Sequence, residues 1–231
     1  MTKPHQEQLL LEIQRQQEVL RARLDAEQAA LTQLAKRLWA QQESEKAKLS
    51  RELHDGVGQL LTGLTRRLRG FSGNHPELSE LAELAELALA DVRQLSRLMS
   101  PTILEDLGLQ PALKWLCRSL FEHEDIHCQC DINMQSDVPN DVAILLFRIA
   151  QEALVNAIKH SAAEHVTLSL NQHHHTLRMD ILDNGNGYDK NTIKPGVGLA
   201  SMKDRAAAFD ANFIIHSKPG QGTHITMTVA I

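Results

Sequence analysis

Aromatic residues are scarce in this 231-residue chain, where two Trp, one Tyr and five Phe amount to 3%. A core with so few rings must be built from aliphatic side chains, which favours helices packed through leucine and alanine. Cysteine is scarce too. Cys117, Cys128 and Cys130 are odd in number and contain no C-x-x-C pair, so neither a disulfide framework nor a zinc knuckle is expected, and reduced thiols fit best. No long apolar run is present. The longest, Val142 to Phe147, is far short of the roughly 20 residues a membrane-spanning helix needs, so no membrane segment is expected. The Gln- and Glu-rich start does not read as a secretory signal, and the expected location is cytoplasmic. A net charge of -5 gives no general attraction to nucleic acid or to anionic lipid.

What is present is periodicity. Residues 5–48 carry a heptad seam at Leu10, Ile13, Gln17, Leu20, Leu24, Glu27, Leu31, Leu34 and Leu38, the spacing of a coiled coil. Beyond Leu38 the seam meets Gln41, Glu45 and Lys48, and apolar residues resume one position late at Leu49, Leu53 and Val57. A phase slip of this kind locally rewinds a coiled coil, although a merely solvated spacer would read the same way.

The stretch Ser50–Leu64, SRELHDGVGQLLTGL, keeps helical spacing at Leu53, Val57, Leu60, Leu61 and Leu64 while carrying Gly56, Gly58 and Gly63. Glycine inside a helix costs roughly 1 kcal/mol against alanine, so three of them suggest close approach of something to this backbone. His54 sits at the rim of the apolar face, and Asp55 and Gln59, four apart, share one side. The glycines, asparagine and proline of GFSGNHP then end the helix near Gly70. A second helix after Pro76 has a seam at Leu81, Ala85, Ala88, Val92, Leu95 and Met99. Two such helices form an antiparallel hairpin whose remaining apolar stripes call for a second copy and a four-helix bundle.

From about Pro111 strands alternate with helices, as in an α/β sandwich. Helices are expected at Leu113–Glu122, Val138–His160 and Gly198–Phe209. Strands are expected at Cys128–Met134, His165–Leu170, Thr176–Leu182, Asn212–Ser217 and Thr223–Val229. His173, His174 and His175 fall in the turn between two of these strands, where three adjacent side chains cannot converge on one ion. Glu152, Asn156 and Lys159 or His160 recur along one helical face. An amide oxygen at Asn156 suits Mg²⁺, a carboxylate at Glu152 suits the ion's water, and Lys159 and His160 can reach phosphate oxygens. Asp183-Asn184-Gly185-Asn186-Gly187 follows a strand, and Gly196-Val197-Gly198-Leu199 opens a helix whose N-terminal amides suit phosphate.

Two sets of motifs resemble known families. ELHDGVGQLL, with the later segment SRLMSPTILEDLGLQPAL, resembles the two-component sensor histidine kinases of the nitrate/nitrite-sensor and desaturase-regulator type. The order E152-A-L-V-N156-A-I-K159-H160, D183-N-G-N-G187, G196-V-G-L199 and G220-Q-G-T223 resembles the ATP-binding domain shared by gyrases, chaperones, kinases and mismatch-repair proteins. Met202 and Arg205 match the family's G-L-x-x-M-x-x-R run. Phe209-Asp210-Ala211 departs from its usual Leu-Gly-Gly, and Pro101 falls where a helix break is required.

The resemblance implies a fold of three parts. These are a coiled-coil signalling helix (1–48), a dimerising histidine phosphotransfer hairpin (49–105) and a Bergerat-type α/β ATPase domain (106–231). By resemblance His54 accepts phosphate from ATP, Asp55 is its base, and Gln59 positions water for the reverse, phosphatase reaction. Glu152 assists catalysis and Asn156 holds Mg²⁺ through the ATP phosphates. Asp183 binds adenine with help from Thr223. Lys159, His160, Gly185, Gly187, Gly196, Gly198 and Leu199 line the nucleotide pocket and its lid. The implied partners are a second copy of the chain, a response-regulator receiver domain with helix-turn-helix output, and an upstream sensor acting through the coiled coil, with no direct nucleic acid. The chain is expected to be either a cytosolic kinase or a segment of a membrane receptor. The competing readings are a non-catalytic nucleotide-binding scaffold and an anti-sigma-type serine kinase.

Overall fold

The computed structural model describes residues 3–71, 75–99, 102–189 and 196–231. Pro101 and residues 190–195 of the expected lid lie outside the described residues. Helix α1 (Lys3–Glu52) passes through a π turn (Leu53–Gly58) directly into α2 (Gln59–Phe71), and α3 (Pro76–Met99) packs back along it.

The hairpin closes on small residues. Ala82, Ala85 and Leu89 of α3 are buried, with Gly58 and Thr65 on the other arm, and an added Cβ at Gly58 would come within 4.0 Å of Leu89 Cδ1. Of the seam expected for α3, Ala85 is buried and Val92 and Met99 are half-buried, while Ala82, Leu89 and Ser96 are buried in place of Leu81, Ala88 and Leu95; Leu81 and Leu95 lie exposed, as do Val57, Leu60 and Leu64 on the first arm. Small side chains let the two helices approach, and the leucines form a separate apolar stripe that none of the described residues covers. The expected close approach to Gly56 and Gly63 is also absent, since nothing in the described chain lies within 4 Å of a Cβ built at either.

On α1 the heptad residues Ile13, Leu20, Leu24, Leu31, Leu34 and Leu38 stay exposed. A different face meets the rest of the chain, formed by Lys36, Trp39, Glu43, Ala47 and Ser50, all partly or fully buried. This face takes over where the heptad seam turns polar, so the polar stretch marks a change of packing partner.

Two short helices, α4 (Thr102–Leu107) and α5 (Leu109–Phe121), lead into the sheet domain. Helix α5 begins four residues before the expected Leu113, because Pro111 falls in its first turn, where a missing N–H costs nothing. The remaining elements are β1 (His127–Asn133), α6 (Asn140–Asn156) with a second π turn (Ala157–Ser161), β2 (His165–His173), β3 (Thr176–Asp183), α7 (Val197–Ala208), β4 (Asn212–Ser217) and β5 (Thr223–Ala230). The sheet order is β1-β2-β3-β5-β4, with only β1 and β2 parallel, joined by the α6 crossover. Val166, Leu168 and Leu170, Leu177, Met179 and Ile181, and Ile225, Met227 and Val229 alternate along their strands to bury one face, which meets Leu145, Leu146, Ile149 and Leu154 of α6.

The opposite sheet face is polar. There Asp180 accepts hydrogen bonds from Arg178 and Thr226 and pairs with His224, and these partners, Arg178 foremost, hold its carboxyl far below the usual carboxylate range. The three cysteines are free. Cys117 of α5 faces Cys128 and Cys130 of β1, and its hydrogen bonds to them together with burial push its thiol pKa up.

The most deeply buried charged side chain among the described residues is an arginine. Arg148 of α6, 4% exposed, donates through Nε and Nη2 to Glu43 Oε2 of α1 at 2.8 and 2.6 Å. It also donates to the Leu98 and Met99 carbonyls at the end of α3 (2.8 and 2.6 Å) and to Gln151 Oε1 (2.7 Å). Beside it, the ring of Phe209 meets Trp39 edge to face at 5.2 Å and lies under the Lys36 ammonium at 4.8 Å. The Phe209-Asp210-Ala211 departure thus supplies the contact to α1. Asp210, at φ 52°, fills the left-handed position after the helix, and the N–H groups of Asp210 and Ala211 cap the Ala207 and Ala206 carbonyls.

Breaking a buried ion pair by removing one partner costs about 3–5 kcal/mol, because the other charge is left buried. Glu43→Ala is expected to lose stability of that order in urea denaturation, and Glu43→Gln, which retains an acceptor for Arg148, considerably less. Equal stability of wild type and Glu43→Ala would contradict the burial described.

Candidate functional site

The π turn carries His54 and Asp55 on the outside of the helix. Both line a cavity of about 670 Å³ between the end of α1, the C-terminal half of α3 and α4. Gln59 is exposed one turn further on and does not line that cavity. The structure therefore brings His54 and Asp55 together and leaves Gln59 outside their cavity. Arg51, Arg93 and Arg97 also line the cavity, and none of the three forms an ion pair among the described residues.

The second constellation lies in the sheet domain. Asp183 ends β3 directly opposite Thr223 of β5, so the register juxtaposes the two residues. Asp183 Oδ1 accepts from the Gly185 N–H at 3.0 Å, its other oxygen has no partner among the described residues, and Thr223 Oγ1 hydrogen-bonds Ser217 Oγ at 3.1 Å. Three glycines lock the surrounding loops. A Cβ at Gly185 would overlap the Ser161 carbonyl, one at Gly187 (φ 57°) the Lys218 carbonyl, and one at Gly222 (φ 71°) the Asp183 carbonyl. The Gly220-Gln221-Gly222-Thr223 segment thus packs directly on the Asp183 loop, and Gly220 N–H donates to Asn186 O at 2.6 Å.

On α6, Asn156 Nδ2 donates to Glu152 Oε1 at 3.3 Å, and the Asn156 carbonyl oxygen has no partner among the described residues. Glu152 extends to the start of α7, where its carboxyl fills the space a Cβ on Gly198 would need. A carboxylate there is favoured by the positive end of that helix. Gly196 caps α7 and is exposed, while Leu199 packs partly against the core. Lys159 and His160 lie exposed in the π turn that follows Asn156.

These donors fit a nucleotide with a divalent ion. A free carboxylate oxygen suits an amino group, a free amide oxygen suits a hard cation, and the amides of a helix start suit phosphate. Among the described residues no group of three or more His, Cys, Asp or Glu side chains converges with metal-binding geometry.

Several residues here escape sequence reasoning. Arg148 leaves a signal, a lone cation amid the apolar face of VAILLFRIA, which demands a buried partner. Arg93 leaves none, because its position depends on how α3 docks.

The fold and these residues define a histidine-bearing helical hairpin joined to an α/β nucleotide-binding domain, and comparison with known proteins agrees. Residues 45–104 match the family described as "Histidine kinase", and residues 141–231 match "Histidine kinase-, DNA gyrase B-, and HSP90-like ATPase". The signal transduction histidine-protein kinase/phosphatase DegS of Brevibacillus brevis is 34% identical over 201 residues, covering 82% of this chain and 52% of that protein. The sensor histidine kinase MctS of Rhizobium johnstonii is 33% identical over 216 residues, covering 87% and 46%. The chain therefore spans about half the length of these curated relatives. The histidine kinase domain of the Erythrobacter litoralis EL346 blue-light activated kinase shares the fold, with a TM-score of 0.52 at 18% identity, covering 74% of this chain and 94% of that one. The chain belongs to the sensor histidine kinases. No described helix is long and apolar enough to cross a membrane.

Proposed function

We propose that this chain is an ATP-dependent histidine kinase that phosphorylates itself on His54 and passes the phosphoryl group to an aspartate of a response regulator. The observation that carries this reading is an exposed imidazole beside a carboxylate at the mouth of a cavity, within the histidine kinase match. ATP is the phosphoryl donor. Asp183, supported by Thr223, takes the adenine amino group, while Lys159, His160 and the amides around Gly196, Gly198 and Leu199 receive the phosphates and Gly185 and Gly187 shape the pocket. Asn156 would hold Mg²⁺ and Glu152 its water, and the ion when bound neutralises charge on the phosphates. Asp55 takes the proton released from the imidazole. Gln59 orients water for hydrolysis of the regulator's aspartyl phosphate, a second activity that the name of the Brevibacillus relative also carries. The regulator carries a helix-turn-helix output, and an upstream sensor acts through α1.

Two further features shape the reading. The stripe Val57, Leu60, Leu64, Leu81, Leu84 and Leu95 is exposed and apolar, and a second copy packed as a four-helix bundle covers it. The nucleotide site also sits upstream of its target. Helix α7 lies against α1 near Trp39 and Gln42, and Glu43 precedes His54 by 11 residues, about 16 Å along a helix. None of the nucleotide-site residues lines the His54 cavity, so transfer requires the sheet domain to leave this seat. The seat carries a cost of its own, since the Trp39 indole N–H is buried without an acceptor among the described residues, a loss of about 1–3 kcal/mol.

His54→Gln is expected to abolish acid-labile labelling from radioactive ATP while calorimetric nucleotide affinity stays near wild type. Acid-stable labelling in that variant would point to a serine kinase instead. Asp183→Ala is expected to weaken ATP binding by roughly tenfold or more, through loss of a hydrogen bond to a charged group worth about 1.5–3 kcal/mol. Trp39→Ala should loosen the seat and raise the rate of His54 labelling roughly fivefold or more, since one kcal/mol shifts a two-state balance by that factor. An unchanged rate would mean that the seat does not limit transfer.

A further inference from the structure

The cavity beside His54 is more basic than its role as a cleft between helices requires. Antiparallel α1 and α3 are aligned by two contacts: Ser50 Oγ donates to the Ser96 carbonyl at 2.7 Å, and Gly58 faces Leu89. His54 lies midway between 50 and 58, and Arg93 lies between 89 and 96, so the two stand at the same height. Arg93 is three residues before Ser96 and four after Leu89, which sends its side chain off α3 on the side facing α1. Arg51, three residues before His54, shares the histidine's face of the helix.

Two carboxylates, Asp55 and Asp106, line the same cavity, yet neither comes within ion-pair distance of any of its three guanidiniums. Arg97 has another occupation, lying 6.0 Å from the centre of the Trp115 ring. Arg51 and Arg93 have no partner among the described residues. Two unpaired guanidiniums line one open cavity with a nucleophilic imidazole, Arg93 from the facing helix and Arg51 from the histidine's own, and they suit a phosphoryl group, whose oxygens accept the forked N–H donors of arginine.

We propose that this cavity is the phosphoryl pocket of His54, in which Arg93, assisted by Arg51, binds the oxygens of the phosphoryl group during transfer and in phosphohistidine. The inference rests on the kinase reading above. The lone pair of one imidazole nitrogen forms the N–P bond, the P–O bond to the β-phosphate breaks with its electron pair leaving on ADP, and the proton on the other ring nitrogen passes to Asp55. Arg93 takes no part in bond making. It neutralises charge on the transferring oxygens, the kind of contribution that dominates phosphoryl transfer.

The test uses the full chain with radioactive ATP at saturating concentration, comparing wild type, Arg93→Ala and Arg93→Lys. Loss of one preorganised donor in such a site costs about 100-fold or more in rate, so Arg93→Ala should label that much more slowly at unchanged ATP affinity. Arg93→Lys, which keeps charge without the fork, should recover part of the rate. A second readout is chemical: the phosphorus-31 resonance of phospho-His54 should titrate at higher pH in Arg93→Ala, because removing the cation raises the phosphoryl group's second pKa. Wild-type labelling by Arg93→Ala, or an unmoved phosphorus titration, overturns the proposal. A wild-type chain that does not label on His54 overturns the kinase reading itself, so the two failures are distinguishable.

Discussion

A buried guanidinium sets the arrangement of this molecule. Arg148 is carried into the interior by an apolar helix that the sheet holds in place, and taking a charge out of water costs several kcal/mol unless every donor finds an acceptor. Its acceptors come from three separate places: the Glu43 carboxylate of α1, the last carbonyls of α3 and the neighbouring Gln151. Desolvation cancels much of the Coulombic gain, so the pair adds little to net stability. Its effect is on geometry. An Arg148 displaced by a few ångströms would be a buried unpaired cation, and this ties the sheet domain to one place on the signalling helix.

That arrangement brings other charges into the same region. Arg205 of α7 is buried enough for its pKa to fall, a cost that nearby Glu43 and Glu152 partly offset. Glu152 in turn reaches the start of α7 and holds the Asn156 amide. Electrostatic continuity therefore runs from α1, through Glu43 and the two arginines, to the residues assigned to nucleotide and metal. A change in how α1 sits would be felt there as a change in charge balance, without any new contact to the nucleotide.

Both π turns coincide with candidate chemistry. One holds His54 and Asp55, the other Lys159 and His160, and each interrupts a helix that is otherwise α-helical on both sides or up to its end. An extra residue in a turn weakens the regular hydrogen-bond ladder, and such turns are found disproportionately at functional sites. Here the widening rotates the following residues relative to the preceding face. At the first turn this lets the packing face change from one that meets the sheet domain to one that meets α3.

Much of this architecture is legible in the amino-acid sequence alone. Periodicity locates the long helices, alternation locates four of the five strands to within a residue or two at most ends, and the spacing of four glycine- and asparagine-containing boxes identifies the nucleotide domain. These signals are legible because they are local: a helix or strand displays its period in consecutive residues, and a phosphate loop needs its glycines at fixed intervals. The packing partners are not legible. An apolar period says that a face is covered but not by what, so periodicity places Ala85 in the α3 seam correctly but adds Leu81 and Leu95, where the neighbouring Ala82 and Ser96 are the buried residues. The cavity around His54 and the Glu43–Arg148 pair join residues 38 to 105 positions apart. Their existence depends on the angle at which helices dock, and that angle is settled by the sum of many weak contacts across the whole tertiary structure.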